Sequence, residues 1–303
     1  MMRLSALILL ICVAPILEAR EKKDAKHGQR PMQSPTVSGR MHLVQDFFLR
    51  SDEANTIFEI HVALPINYDP SKRYPVLYIL DSDFLFGTGS EGAWMLNMEG
   101  TIEPLIVVGI GFGTDWVKVS ELRFTYFSPN KSPEYPDLTG KAYMLLDFMK
   151  NTLFKQISEM YLVNDRRSIW GASMGALFVA YVIHTSPETF QRYIMSSPSF
   201  WWPTTPDKGY IFDLEKKYAE THSDLPVKIF AAVGDLESKS VMKDPFQRWL
   251  KLLRSRNYNS LELSDYTFPH GTHVSTIPQA YMHGLQQLFA TKPEQVPHIP
   301  HAP

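Results

Sequence analysis

Along this chain the spacing of apolar positions shifts between strand-like and helix-like periods, and those shifts mark out its elements. Thr56–Leu64 alternates, with Phe58, Ile60, Val62 and Leu64 on one side, which predicts a strand with one solvated face. Tyr74–Leu80 and Leu105–Gly111 are unbroken apolar runs, as expected of parallel strands covered on both faces. From Lys141 to Met160 the residues Met144, Leu145, Phe148, Met149, Leu153, Phe154 and Ile157 fall on one helical stripe. The same reading predicts strands over 166–172, 192–196, 226–233 and 261–268, and helices over 174–185, 241–256 and 275–290. Strands alternating with helices call for a mostly parallel sheet with helices on both faces, joined by right-handed crossovers. No repeat or linker interrupts the interior, so the 303 residues predict one α/β domain, placed over 41–290.

The two ends read differently. Arg3 precedes an apolar stretch, Leu4–Leu17, which is shorter than the ~20 residues a membrane span requires. With the small-residue site Leu17-Glu18-Ala19, residues 1–19 are expected to be an export signal. Residues 20–40 are charged and contain proline, as in a flexible segment, and the Pro-dotted tail over 291–303 is expected to be loose. Cys12, the only cysteine, lies inside the signal. The mature chain would therefore carry no disulfide and rest on its core alone. A periplasmic or secreted protein, free of the membrane once the signal is removed, is the expectation.

Composition adds little. A hydrophobic fraction of 44% and a charged fraction of 20% are ordinary for a globular protein. A net charge of −2 and the absence of a basic run argue against nucleic acid as a partner. Aromatics reach 13%, enough to pack a core and still line a pocket for a flat substrate. Asn130-Lys131-Ser132 is a glycosylation sequon of the kind that chance supplies.

The chemistry concentrates at residues 168–180. An apolar strand end, Ile169-Trp170, runs into Gly171-Ala172-Ser173-Met174-Gly175, and a small apolar helix face follows. This is G-x-S-x-G in a strand–turn–helix context, where a tight, strained turn lifts one serine off the sheet. The hydroxyl then stands at a helix N-terminus, where free N–H groups favour developing negative charge. Ser173 is the expected nucleophile.

Two glycine patterns compete with it. Gly87-Thr-Gly89-Ser-Glu-Gly92 matches G-x-G-x-x-G, and Gly109-Ile-Gly111-Phe-Gly113 follows a strand. A dinucleotide site needs its first glycine at the strand end, but Asp81 to Phe86 intervene, so no nucleotide cofactor is expected. His270 and His273 lack the carboxylate or histidine spacing of a metal site, so no metal is expected either.

A serine nucleophile needs a base and an acid that orients it, found in the chain order Ser, Asp/Glu, His. After the strand Val227–Val233 come Asp235 and Glu237, and position alone leaves the two even. After the last strand, Phe268-Pro269-His270-Gly271-Thr272-His273 offers two histidines, and either can lie over Ser173.

These blocks together resemble the esterase branch of the α/β-hydrolase superfamily, which includes bacillibactin- and enterobactin/salmochelin-type siderophore esterases. Feruloyl and acetyl carbohydrate esterases are more distant members. The resemblance spans about residues 41–290. It rests on Tyr74-Pro-Val-Leu-Tyr-Ile-Leu-Asp81-Ser82-Asp83-Phe84, Trp170-Gly-Ala-Ser173-Met-Gly-Ala-Leu-Phe, Ser196-Ser-Pro-Ser-Phe-Trp-Trp202, Val233-Gly-Asp-Leu-Glu237 and Gly271-Thr-His273-Val-Ser. It implies the α/β-hydrolase fold, Ser173 as nucleophile, His273 as base and Glu237 as acid. It also implies an oxyanion hole made by backbone N–H groups of the Asp81–Phe84 loop (Ser82, Asp83) and of Met174. Two positions depart from the family: Ser82 stands where it commonly has glycine, and Ala176 where it has a second glycine.

The resulting expectation is a serine carboxylic-ester hydrolase acting through an acyl-enzyme, without cofactor, on a small-molecule ester. Siderophore esters are the first choice. Acetyl or feruloyl carbohydrate esters, and a non-catalytic binding protein of the same fold, are the alternatives. Arg123, in a long Phe112–Gly140 loop, and Trp201-Trp202 are expected at the substrate pocket rim, where an arginine suits an anionic ligand and aromatic faces a planar one.

Overall fold

The computed structural model describes residues 44–52, 54–202 and 210–292. The predicted signal over 1–19, the segment over 20–40 and nearly all of the tail lie outside them. Eight strands, β1 (Val44–Ser51), β2 (Thr56–Ala63), β3 (Tyr74–Leu80), β4 (Ile106–Gly111), β5 (Val163–Ala172), β6 (Arg192–Ser196), β7 (Lys228–Gly234) and β8 (Glu262–Phe268), form one sheet. Their order is β1-β2-β4-β3-β5-β6-β7-β8. β2 runs antiparallel to both its neighbours, and every pairing from β4 to β8 is parallel.

The unbroken apolar runs are explained by two cores, one on each face of this sheet. Leu77 and Ile79 of β3, Trp170 of β5, Ile194 of β6 and Phe230 of β7 point to one face. There they meet α1 (Ser82–Glu99) and α8 (His273–Phe289). Their neighbours Val76, Tyr78, Ile169, Tyr193 and Ile229 point to the other. That face is covered by α2 (Trp116–Phe127), α3 (Ala142–Phe148), α4 (Phe154–Met160), α5 (Met174–Thr185), α6 (Tyr210–Thr221) and α7 (Asp244–Ser255). A π-helical turn, Met149–Leu153, joins α3 to α4. The single solvated face expected of β2 holds only for its first half. Ile57 is exposed and Glu59 half-exposed, whereas α1 covers His61 and Ala63. β8 is an edge strand, half-exposed along most of its length.

Four elements carry no clear signal in the apolar pattern: β1, α1, α2 and α6. α1 contains Gly87, Gly89 and Gly92, poor helix formers, and its N-cap Asp81 makes no side-chain cap. The segment read as a loop from Asp81 to Phe84 is therefore the start of a helix. Likewise, the long Phe112–Gly140 loop is helical over α2, where Asp115 accepts from the Lys118 N–H at 3.1 Å.

Candidate active site

The turn between β5 and α5 holds Ser173 at φ 55°, ψ −115°, a conformation side-chain-bearing residues rarely adopt. A methyl carbon at Gly171 would stand 2.4 Å from the Gly175 carbonyl oxygen, so strand and helix pass only because that position is glycine. The demand at Gly175 is milder, with Asp81 Oδ2 3.3 Å from where a Cβ would lie. Backbone bonds pin the elbow. The Ser173 N–H donates to Ser196 O at 2.9 Å, and the Ser173 carbonyl accepts from Leu177 and Ser199 N–H at 3.1 and 3.2 Å. The hydroxyl, half-exposed, pairs with Ser199 Oγ at 3.2 Å rather than with a histidine.

The turns after β7 and β8 meet backbone to backbone: a Cβ on Gly234 would fall 2.1 Å from Gly271 O. That contact carries Glu237 to His273. Glu237 is buried, and its Oε2 lies 2.7 Å from His273 Nδ1. Its Oε1 accepts from Ser197 Oγ at 2.6 Å and from the Gly234 N–H at 2.7 Å. Burial pushes the Glu237 carboxyl up, but the donors His273, Ser197 and Gly234 together outweigh it and hold the group below its ordinary range. His273 is the first residue of α8, set by a capping box between Thr272 and Ser275, and its side chain is 40% exposed. The alternatives left even by position are placed elsewhere. Asp235 turns Oδ1 into a buried spot with no partner among the described residues, and His270 is exposed in the preceding turn.

Ser82 and Asp83 are the first two residues of α1, and Met174 is the first of α5. Backbone N–H groups at such positions have no partner within their helix. The Phe84 and Leu85 N–H groups both bond to Asp81 O, at 3.1 and 2.9 Å. The side chains are committed. Ser82 Oγ lies 3.0 Å from His61 Nδ1, and the Asp83 carboxylate accepts from the Phe112 and Gly113 N–H groups. What Ser82 and Asp83 can offer a reacting group is therefore their backbone. The hydroxyl that Ser82 adds where glycine is common is the one that meets His61.

Arg123 has a partner within the protein. Its Nε and Nη2 reach Asp81 Oδ1 and Oδ2 at 2.6 and 3.0 Å, and its guanidinium carbon lies over the Phe84 and Phe127 rings. Asp81 is fully buried in left-handed geometry at φ 60°. Burial pushes its carboxyl above the ordinary range, with Arg123 pulling it back only in part, and both oxygens accept from the guanidinium. Trp202 is buried, its ring 5.7 Å from Phe124, and Trp201 is half-buried against it. Asp81, Ser197 and Ser199 lie in blocks that carry the family resemblance, but the sequence assigns their side chains no individual role. The available signal was polar side chains directly after buried parallel strands, where an apolar residue would have cost less. Among the described residues no three His, Cys, Asp or Glu side chains are grouped to hold a metal ion. No helix among them is long and apolar enough to cross a membrane.

The sheet order, the antiparallel second strand and the elbow after β5 define an α/β-hydrolase fold. The family model described as "Putative esterase" matches residues 51–277, and the chain belongs to that family. Ferri-bacillibactin esterase BesA of Bacillus subtilis (strain 168) is 29% identical over 268 residues, 83% of this chain and 90% of the relative. Siderophore triacetylfusarinine C esterase of Aspergillus fumigatus is 26% identical over 182 residues, 58% of this chain and 60% of the relative. Among solved structures, the BES protein from Bacillus cereus superposes with a TM-score of 0.71 at 24% identity, covering 87% of this chain and 98% of that one. Siderophore hydrolase EstB from Aspergillus nidulans gives 0.72 at 23% identity, covering 86% and 99%.

Proposed function

We propose that this esterase is a serine hydrolase that cleaves siderophore ester bonds through an acyl-enzyme, with Ser173 as nucleophile, His273 as base and Glu237 as orienting acid. The observation that carries the reading is the 2.7 Å contact of Glu237 with His273 Nδ1, at the same sheet edge as the strained Ser173. With Nδ1 held by a carboxylate, Nε2 is the nitrogen left to accept a proton. The Ser173 hydroxyl leaves Ser199, gives its proton to His273 and attacks the ester carbonyl. The oxyanion forms against the N–H of Met174 and those of Ser82 and Asp83. The alcohol departs with the proton from His273, and water, activated by the same imidazole, releases the acid and restores Ser173. The siderophore assignment is supported by the relatives, which are named as esterases of ferri-bacillibactin and of triacetylfusarinine C.

Two measurements test it. Ser173→Ala is expected to lower p-nitrophenyl acetate turnover by about 10³ or more with the fold intact. Unchanged labelling of that variant by a fluorophosphonate would remove Ser173 from the role. A panel of iron-loaded and iron-free tri-ester siderophores beside acetyl and feruloyl sugars tests the substrate, and hydrolysis of the sugars alone would overturn that half of the reading.

A further inference from the structure

The sheet order β5-β6-β7 places the chain leaving β6 between the two strands that deliver Ser173 and Glu237. That connection begins Ser196-Ser197-Pro198-Ser199 and bonds to both sides. The Ser197 N–H donates to Ala232 O of β7 at 2.8 Å, and the Ser199 N–H donates to Ser173 O at 3.2 Å. Ser197 is fully buried at φ 48°, a strained conformation that glycine would adopt at less cost. A serine kept under strain, with its hydroxyl 2.6 Å from Glu237 Oε1, points to the hydroxyl as the reason.

A carboxylate at the end of a turn can rotate and present either oxygen. Here Oε1 is held by two donors, the Ser197 hydroxyl and the Gly234 N–H. Only Oε2 is left to face His273. We propose that Ser197 is a positioning residue of the reaction: it locks the Glu237 carboxylate so that the carboxylate, in turn, fixes the tautomer and orientation of His273. The inference rests on the serine-hydrolase reading given above. It gives the strained turn after β6 a role in chemistry although it touches neither substrate nor the reacting atoms.

The test pairs Ser197→Ala, which removes the hydroxyl and keeps the strain, with Ser197→Gly, which removes both. Each is expected to lower kcat for p-nitrophenyl acetate by roughly tenfold to a hundredfold, the scale of a lost hydrogen bond to a charged group, with KM within about twofold. Melting temperatures are measured for both variants and the kinetics are run well below the lower of them, so that a loss of rate is read on folded enzyme. Because Ser197 acts through Glu237, adding Ser197→Ala to Glu237→Gln is expected to cause little further loss. Wild-type kcat in Ser197→Gly, or losses that multiply in the double variant, would overturn the proposal. Ser173→Ala run alongside separates the two ideas. If it kept its activity the hydrolase reading itself would fail. If it were inactive while Ser197→Gly were fully active, only the role of Ser197 would fail.

Discussion

At the scale of the residue, the site is decided by which of two neighbouring candidates the backbone aims inward. Asp235 and Glu237 are two positions apart in one turn, as are Leu236 and Ser238, and only Glu237 reaches His273. In the proposed mechanism, removing the charge of the acid that holds the imidazole has large consequences, because the wrong tautomer is then stabilised. Glu237→Gln and His273→Ala are each expected to cost about 10²-fold or more in kcat. Asp235→Asn and His270→Ala are expected to stay within about threefold of wild type, as substitutions away from reacting atoms do. Steady-state kinetics of the four variants check this, and the reverse ranking would move the acid and base to the other pair.

At the scale of the element, α1 and α2 are where sequence pattern and structure part. The strands β3, β6 and the helix α5 coincide with their apolar runs, since burial on both faces leaves little else for those residues to be. The tight turn at Ser173 is equally legible, because its small residues answer a steric demand. α1 is not, being glycine-rich where it packs against Ile79 and Met282. Nor is α2, whose Trp116, Phe124 and Tyr126 face different surroundings. Position along the chain leaves Asp235 and Glu237 even and only the family resemblance favours Glu237, because the contact of Glu237 with His273 depends on two loops far apart in sequence meeting in space. Helix α2 also explains Arg123: it brings a guanidinium under α1 to neutralise Asp81. Breaking a buried pair by deleting one partner typically costs ~3–5 kcal/mol. Arg123→Gln is therefore expected to lower stability by that order and to weaken turnover of charged and neutral esters alike. Urea unfolding together with kinetics on both ester types measures it. A selective rise in KM for an anionic ferric ester, at unchanged stability, would return Arg123 to the pocket rim.

At the scale of the whole molecule, a buried histidine outside the candidate site adds to the dependence of stability on pH. His184 of α5 is buried, accepts from Trp249 Nε1 at 3.0 Å on Nε2, and so carries its proton on Nδ1, which has no partner among the described residues. Burial lowers its pKa from 6.5 to about 3. Since the unfolded chain protonates first, this contribution is complete above pH 6.5 and is lost as the pH falls toward 3. Its full span is on the order of 5 kcal/mol. His184→Gln, which keeps an acceptor for Trp249, is expected to flatten the dependence of the urea midpoint on pH between about 6 and 4. Parallel slopes in the two proteins would show that another group dominates.

Among the described residues the half-exposed strand β8 pairs on one side only, with β7, and leaves its other rim without a ladder partner. Such a rim is a template on which another chain can add a strand. Here it carries Glu262 paired to Lys228 and Asp265 paired to Arg254, so charge is stationed along it. An approaching strand would have to desolvate these ions before gaining any ladder bond. The side chains that tie this edge to its own fold thus also raise the cost of adding a foreign strand to it.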